Sequence, residues 1–239
     1  MQGIGDRFQQ GTKYSLEGLG DEKGWQFDAE AFKDYPDAPR VKLAAPEAIA
    51  MPVGEAMRLR RSLRDYTGRP IRLGCLIQIL WAASGVTERR GGCVLRTAPS
   101  AGALYPIETY LLANRVDDLA AGLYHLNVRL WELELLKQGD LGPRLARACL
   151  GQGMMAAASV DLIWTAVVGR SKRKYGERAY RYVYLDAGHI CENVYLAATA
   201  LGLGCCGVGA FYDDEVNAII GVNGKAETTV YLASIGTLG

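Results

Sequence analysis

The sequence predicts an α+β domain, and two observations carry that expectation. Apolar, β-rich runs at residues 107–113, 122–126, 130–136, 159–168 and 228–235 form hairpins and single strands. The helical segments between them do not follow a regular βαβ alternation. The second observation is a long apolar segment, residues 180–201, rich in Ala, Leu and Tyr and broken by no Pro. As a helix it would be roughly 33 Å long. With 239 residues the chain makes one large domain or two small ones and buries a core without staples.

Composition narrows the function classes. Hydrophobic residues are 49% and charged residues 22%, with a formal net charge of +1. Nothing global points to nucleic acid or to an anionic membrane, so any anion site must be local. The six cysteines, at 75, 93, 149, 191, 205 and 206, show no C-x-x-C pair. They read as reduced and mostly buried, which suits a cytoplasmic protein, and the vicinal Cys205-Cys206 reads as two buried strand residues. The N-terminal residues lack a basic stretch followed by an apolar run, so no signal peptide is expected.

Taken in order, residues 1–50 are polar and unpatterned, with Phe27, Phe32 and Tyr35 scattered among Gly and Pro. They predict an arm with short helical pieces that packs on the remaining domain, residues 51–239. Residues 53–61 read as a first helix and residues 73–84 as a second, stopped by Gly85. Residues 88–92 read as a Gly-rich basic loop. Residues 97–106 are a run of small residues containing Pro99 and Pro106. Strands follow at 107–113 and in a hairpin around Asn127-Val128-Arg129, then a short helix at 143–150 and a central strand at 159–168. A basic lead-in containing Lys174 and Tyr175 feeds the long helix. Beyond it come an extended run at 205–211, a helix at 213–220 with Asp213 or Asp214 near its N-cap, and a last strand.

The long helix is apolar almost all round, which belongs in a core or an interface. Its polar residues Asp186, His189 and Asn193 share one stripe. Asp186, His189 and Glu192 also argue against a membrane span. His189 reads as a satisfied core histidine. Neither it nor His125 has a second His or Cys at ligand spacing, so no metal site is expected.

Arg58, Arg60, Arg61 and Arg64 cluster with Ser62. They form either a solvated helix end or a site for phosphate or carboxylate, which guanidinium binds through a planar fork. Gly202, Gly204 and Gly207 match G-x-G-x-x-G in form. They follow a helix, however, where a dinucleotide fold requires a strand before them and a helix after. No Walker A motif or G-x-S-x-G appears, and Ser100 has no evident His partner.

Several segments, in order, together resemble the nitroreductase superfamily of FMN enzymes, and within it the SagB/ThcOx-type dehydrogenases. They are Arg60-Arg61-Ser62-Leu63-Arg64-Asp65-Tyr66, the run from Thr97 to Pro106, Gly122-Leu123-Tyr124-His125, Lys174-Tyr175-Gly176-Glu177-Arg178, Asp186-Ala187-Gly188-His189 and Gly209-Ala210-Phe211-Tyr212-Asp213-Asp214. Thr12-Lys13-Tyr14 and Phe32-Lys33-Asp34-Tyr35-Pro36 in the arm also match that branch. The resemblance implies a three-layer α/β/α sandwich with a mostly antiparallel sheet around a long central helix. It further implies a homodimer with one FMN in each of two interfacial clefts. On this analogy Arg60, Arg61, Ser62 and Arg64 hold the FMN phosphate and ribityl chain. Pro99, Ser100, Ala101, Gly102 and Leu104 reach the flavin from the other subunit. Val208, Gly209 and Ala210 bring backbone N–H groups near its reactive nitrogen. Lys174 and Tyr175 match the catalytic Lys-Tyr pair of azoline-oxidising members. Two departures stand out: no basic residue lies in Ser234-Ile235-Gly236-Thr237-Leu238-Gly239, and Gly-Ala-Phe replaces Gly-Gly-Phe.

The expected activity is two-electron transfer through FMN, with azoline oxidation in a modified peptide as the SagB-type form. The alternatives are an NAD(P)H-dependent nitroaromatic or quinone reductase, with NADH or NADPH as donor, and a flavin-binding protein without turnover. The substrate is then a small molecule or a peptide.

Overall fold

Burial of period two organises the structure, a computed structural model that describes residues 3–14, 16, 30–90 and 93–239. In β4 (Ile107–Ala113), Ile107, Leu111 and Ala113 face one core while Tyr110 and Leu112 face another. In β7 (Val160–Val167), Val160, Leu162, Trp164 and Ala166 join the first core and Ile163 the second. Strands covered on both faces belong at the centre of three layers. Around them lie β1 (Arg40–Lys42), β5 (Gly122–Asn127), β6 (Glu132–Gln138), β8 (Leu203–Val208) and β9 (Glu227–Thr237). The sheet order is β1-β6-β5-β4-β7-β9-β8, and each neighbouring pair is antiparallel.

The first face is covered by α3 (Leu73–Ser84) and the 22-residue α7 (Ala179–Ala200). The second is covered by α4 (Gly142–Ala148), α5 (Met154–Ala157) and α8 (Asp213–Ile220). The chain is thus an α/β/α sandwich, as the sequence predicts. The long helix and the strands at 107–113 and 159–168 fall where expected, and β7 is central.

The arm does more than add helical pieces. It forms α1 (Ile4–Gly11), but its β1 also joins the sheet edge beside β6. Residues 33–35 then cover a part of the second face whose side chains are polar. Lys33 pairs with Glu227, Tyr35 shares a 3.0 Å hydrogen bond with the Tyr110 hydroxyl, and Asn127 donates to Asp34 at 3.1 Å. Beneath them His125 is fully buried between Glu134 (2.8 Å) and Glu108 (3.2 Å). Residue 15 and residues 17–29, including Phe27, lie outside the described residues.

Other expectations need correction. The basic loop expected at 88–92 is largely strand: β2 (Val86–Arg90) pairs with β3 (Cys93–Arg96), while Gly91, Gly92 and the Cys93 side chain lie outside the description. A two-stranded ribbon exposed on both sides carries no apolar alternation to read. The lead-in at Lys174 is α6 (Gly169–Tyr175), with Arg173 and Lys174 exposed on its surface and Arg170 buried. The first helix, α2 (Val53–Leu59), ends before Arg60, whose extended backbone leads into a strand-like segment. Asp213 and Asp214 lie next to the N-cap of α8, Tyr212, as expected, and fill its first turn, where they complement the helix dipole. His189 is exposed rather than in the core. Cys75, Cys149, Cys191, Cys205 and Cys206 are buried and free, as expected.

Candidate functional site

The residues singled out from the sequence gather in two clusters, each anchored on α7. The first centres on Tyr195. Its hydroxyl accepts the Gly207 N–H at 2.6 Å and shares a 3.0 Å hydrogen bond with Ser62 Oγ. Burial pushes the Tyr195 hydroxyl up, against the pull of those two bonds, so it remains a neutral hydroxyl. Ser62 forms a parallel bridge with Cys205, and Leu63 donates its N–H to the Cys205 carbonyl at 3.0 Å. The segment from Arg60 to Arg64 is therefore laid along β8. The Arg60 guanidinium sits 5.1 Å from the Tyr195 ring centroid. Arg61 donates to the carbonyls of Arg58 (3.1 Å) and Arg60 (2.7 Å), and Arg64 to that of Ser62 (3.3 Å).

Among the described residues no carboxylate forms an ion pair with Arg60, Arg61 or Arg64; Glu55 takes Arg58 instead. Three guanidiniums not spent on carboxylates, with an exposed serine among them, suit a phosphate. Val208 is buried, and Gly209 and Ala210 emerge exposed just after it. A Cβ at Gly207 would lie 2.4 Å from the Tyr231 hydroxyl, so any side chain there would have to push Tyr231 aside. Backbone thus reaches the surface beside the arginines, which fits a planar ligand carrying a phosphate.

The second cluster centres on Asp186. Ser100 Oγ donates to its Oδ2 at 2.6 Å, Ala101 N–H to its Oδ1 at 3.3 Å, and Ser100 Oγ in turn accepts the Tyr105 N–H at 2.9 Å. Burial raises the Asp186 carboxyl above its ordinary value, although the bonds from Ser100 and Ala101 and the nearby His189 favour the charged form. The loop so clamped is contorted, with φ of 65° at Gly102, 54° at Ala103 and 45° at Tyr105. Arg170, 2% exposed, holds its far end by donating to the Tyr105 carbonyl at 3.1 Å while bridging to Glu108 at 2.6 Å.

Lys174 and Tyr175 close over this loop. A Cβ at Gly102 would lie 2.5 Å from the Tyr175 hydroxyl and 2.8 Å from Lys174 Nζ. The Tyr175 ring packs edge-on against Tyr182 with centroids 4.7 Å apart, and Arg178 Nε donates to the Tyr182 hydroxyl at 3.0 Å. Lys174 is exposed and Tyr175 half-buried, so a proton donor or acceptor and a cation stand together at a surface. Pro99 and Gly102 are exposed beside them, with Ser100, Ala101 and Leu104 half-buried.

The two clusters do not converge within one chain. Asp186 and Tyr195 are nine residues apart on α7, about 13 Å along the axis and roughly half a turn round it. Sequence reasoning named the outer residues of both clusters and missed the anchors. Asp186 was visible as a polar residue in an apolar helix and as part of a family-like motif, but without its role as a clamp, and Tyr195 had no signal among so many tyrosines.

Comparison with known proteins places the chain. Residues 57–237 match the Nitroreductase family. A putative nitroreductase of Methanocaldococcus jannaschii is 39% identical over 180 residues, 75% of this chain and 89% of the relative. A trifolitoxin-processing protein of Rhizobium leguminosarum bv. trifolii is 34% identical over 113 residues, 45% of this chain and 30% of that protein. The crystal structure of a putative nitroreductase from Anabaena variabilis superposes with a TM-score of 0.80 at 26% identity, covering 98% of this chain and 47% of that one. The chain belongs to the nitroreductase family and is an oxidoreductase of that fold.

Proposed function

We propose that the chain is an FMN-dependent oxidoreductase of the SagB-type dehydrogenase kind, acting on an azoline ring in a modified peptide. The observation that carries this reading is the meeting of Lys174 Nζ and the Tyr175 hydroxyl over Gly102. Simple hydride transfer between a nicotinamide and a quinone does not require such a pair, whereas oxidising an azoline to an azole removes a proton as well as a hydride. Similarity to a trifolitoxin-processing protein favours a peptide substrate.

In this reading Arg60, Arg61, Ser62 and Arg64 hold the FMN phosphate, and Val208, Gly209 and Ala210 bring main chain against the ring. Bound FMN would supply the two-electron acceptor. The Tyr175 oxygen, held as a phenolate beside the Lys174 ammonium, takes the ring proton and becomes a neutral phenol, while the hydride would go to bound FMN. Pro99 to Leu104 form the wall beside that pair. Because the two clusters lie on opposite sides of α7, the complete site is assembled from two copies, with the 99–104 wall and the Lys174-Tyr175 pair over it supplied by the second. The exposed apolar side chains Val53, Met57, Trp81, Tyr184 and Leu185 supply a surface for that homodimer.

The test is stopped-flow of each half-reaction in wild type and Tyr175→Phe, with an azoline peptide and with a quinone. Azoline oxidation should fall by roughly 10²–10⁴-fold in the variant, with flavin content and quinone turnover unchanged. Equal rates for both substrates would remove Tyr175 from catalysis and favour an NAD(P)H-dependent nitroaromatic or quinone reductase. Flavin that binds but is reoxidised by neither substrate would favour a binding protein.

A further inference from the structure

Next to the second cluster, with which it shares Arg170, the arm, α6 and the start of β9 border a cavity of about 630 Å³, lined among the described residues by Phe32, Lys33, Val168, Arg170, Tyr180 and Lys225, with others. That volume falls in the usual range of ligand pockets, roughly 300–1,000 Å³. Its floor is polar but internally neutralised. Lys33 is paired with Glu227 and bonded to the Tyr110 hydroxyl, and Arg170 is paired with Glu108. Asp34, also lining it, is engaged by Arg40 and Arg129. A floor of this kind orients a ligand without trapping a bare charge. Phe32, Val168 and Tyr180 offer apolar and aromatic walls.

The rim differs from the floor. Lys225 is exposed, and among the described residues its ammonium has neither ion pair nor hydrogen bond. Glu30, on the arm, is the lining carboxylate without an ion pair there. Lys225 thus offers an ammonium not spent on a carboxylate, and a cation above aromatic walls selects an apolar group that carries a negative end.

We propose that this cavity is a recognition site for an apolar or aromatic group that bears, or is flanked by, a carboxylate. The apolar part lies between Phe32 and Tyr180, and the carboxylate meets Lys225. Resting on the peptide reading above, the ligand is the stretch of substrate next to the reacting ring. Arg170 in the cavity and Lys174 at the candidate reacting centre are four residues apart on α6, about 6 Å of helical rise. Binding energy gathered here holds the ring in place at Tyr175.

The experiment measures equilibrium binding of fluorescein-labelled hexapeptides to the FMN-loaded protein by anisotropy. The peptides carry Phe-Glu, Phe-Gln or Ala-Glu at the centre, and free 3-phenylpropionate serves as competitor. The proteins are wild type, Lys225→Glu and Ala226→Trp; Ala226 is an exposed lining residue, so the tryptophan fills the cavity without touching the core. The Phe-Glu peptide should bind wild type at least tenfold tighter than the other two, and both variants should lose that preference. Competition by 3-phenylpropionate at the peptide's own affinity supports the site and makes a free small carboxylate its ligand. Competition only by peptide supports it and makes the ligand a peptide segment. No discrimination in wild type, or unchanged preference in both variants, overturns the proposal. Quinone turnover is measured in parallel: its absence in wild type counts against the flavin reading, while peptide binding remains a separate result.

Discussion

At Gly102 a single added methyl group would meet two functional atoms, the Tyr175 hydroxyl and Lys174 Nζ, at 2.5 and 2.8 Å. The residue also holds φ at 65°, which disfavours any side chain. Gly102→Ala should therefore cost about 1–3 kcal/mol of stability and push the pair aside, lowering azoline turnover. Wild-type turnover in that variant would separate the pair from the loop. Asp186→Ala removes the acceptor for Ser100 and Ala101, which should cost about 1–3 kcal/mol in chemical denaturation and slow turnover through the displaced loop. Asp186→Ala with unchanged turnover would make the clamp purely structural. Lys174 and Tyr175 stand out in the sequence as a pair, and Gly102 as part of a small-residue run. Their contact was not legible, because more than seventy residues separate them and the meeting leaves no local pattern. Ser100 was set aside for want of a histidine, and Asp186, although singled out on the long helix, carried no sign that it is the partner of Ser100.

Among the elements, the strands legible from sequence were those with two apolar faces or a plain alternation, β4 and β7 above all. The ones missed, β1, β2 and β3, are short or exposed, where charge hides the period. The polar patch on the second face was hidden for another reason. Glu108, His125 and Glu134 occupy positions that alternation would leave to solvent, but the arm covers them. Burial works against the Glu108 carboxylate, yet the hydrogen bond from His125 and the charge of Arg170 outweigh it and hold the group down to about 2. Its contribution to stability is present above the ordinary 4.5 and is lost as pH falls toward about 2. Burial pulls His125 down, but its bonds to Glu108 and Glu134 more than offset this and raise it above 6.5. That contribution is fully present below 6.5 and fades as pH rises through the raised value. His125→Ala should cost about 3–5 kcal/mol, because it leaves buried carboxylates without their partner. Urea denaturation across the acid range should show a shallower loss in the variant than in wild type. Parallel curves would mean that the cluster is not ionised as described.

For the whole molecule, the sandwich was legible because a long apolar helix and doubly covered strands admit few other arrangements. The division of the site between two faces of α7 was not, since the sequence orders the motifs along a chain and not around a helix. Tyr184 and Leu185 are both 57% exposed on that helix, and Met57 of α2 is 60% exposed. Leu185→Glu with Met57→Glu, both at exposed positions, should give a folded monomer in sedimentation that has lost FMN. A monomer that keeps its FMN would place the whole site in one chain. The most direct test of the central claim is the visible absorbance of the purified protein during titration with FMN, for wild type and for Arg60→Ala with Arg64→Ala. Wild type should be yellow, or take up one FMN per chain. The double variant should bind FMN far more weakly, at about 1.5–3 kcal/mol for each charged hydrogen bond lost. A colourless wild type that takes up no FMN, or a double variant that binds it as tightly as wild type, would contradict it.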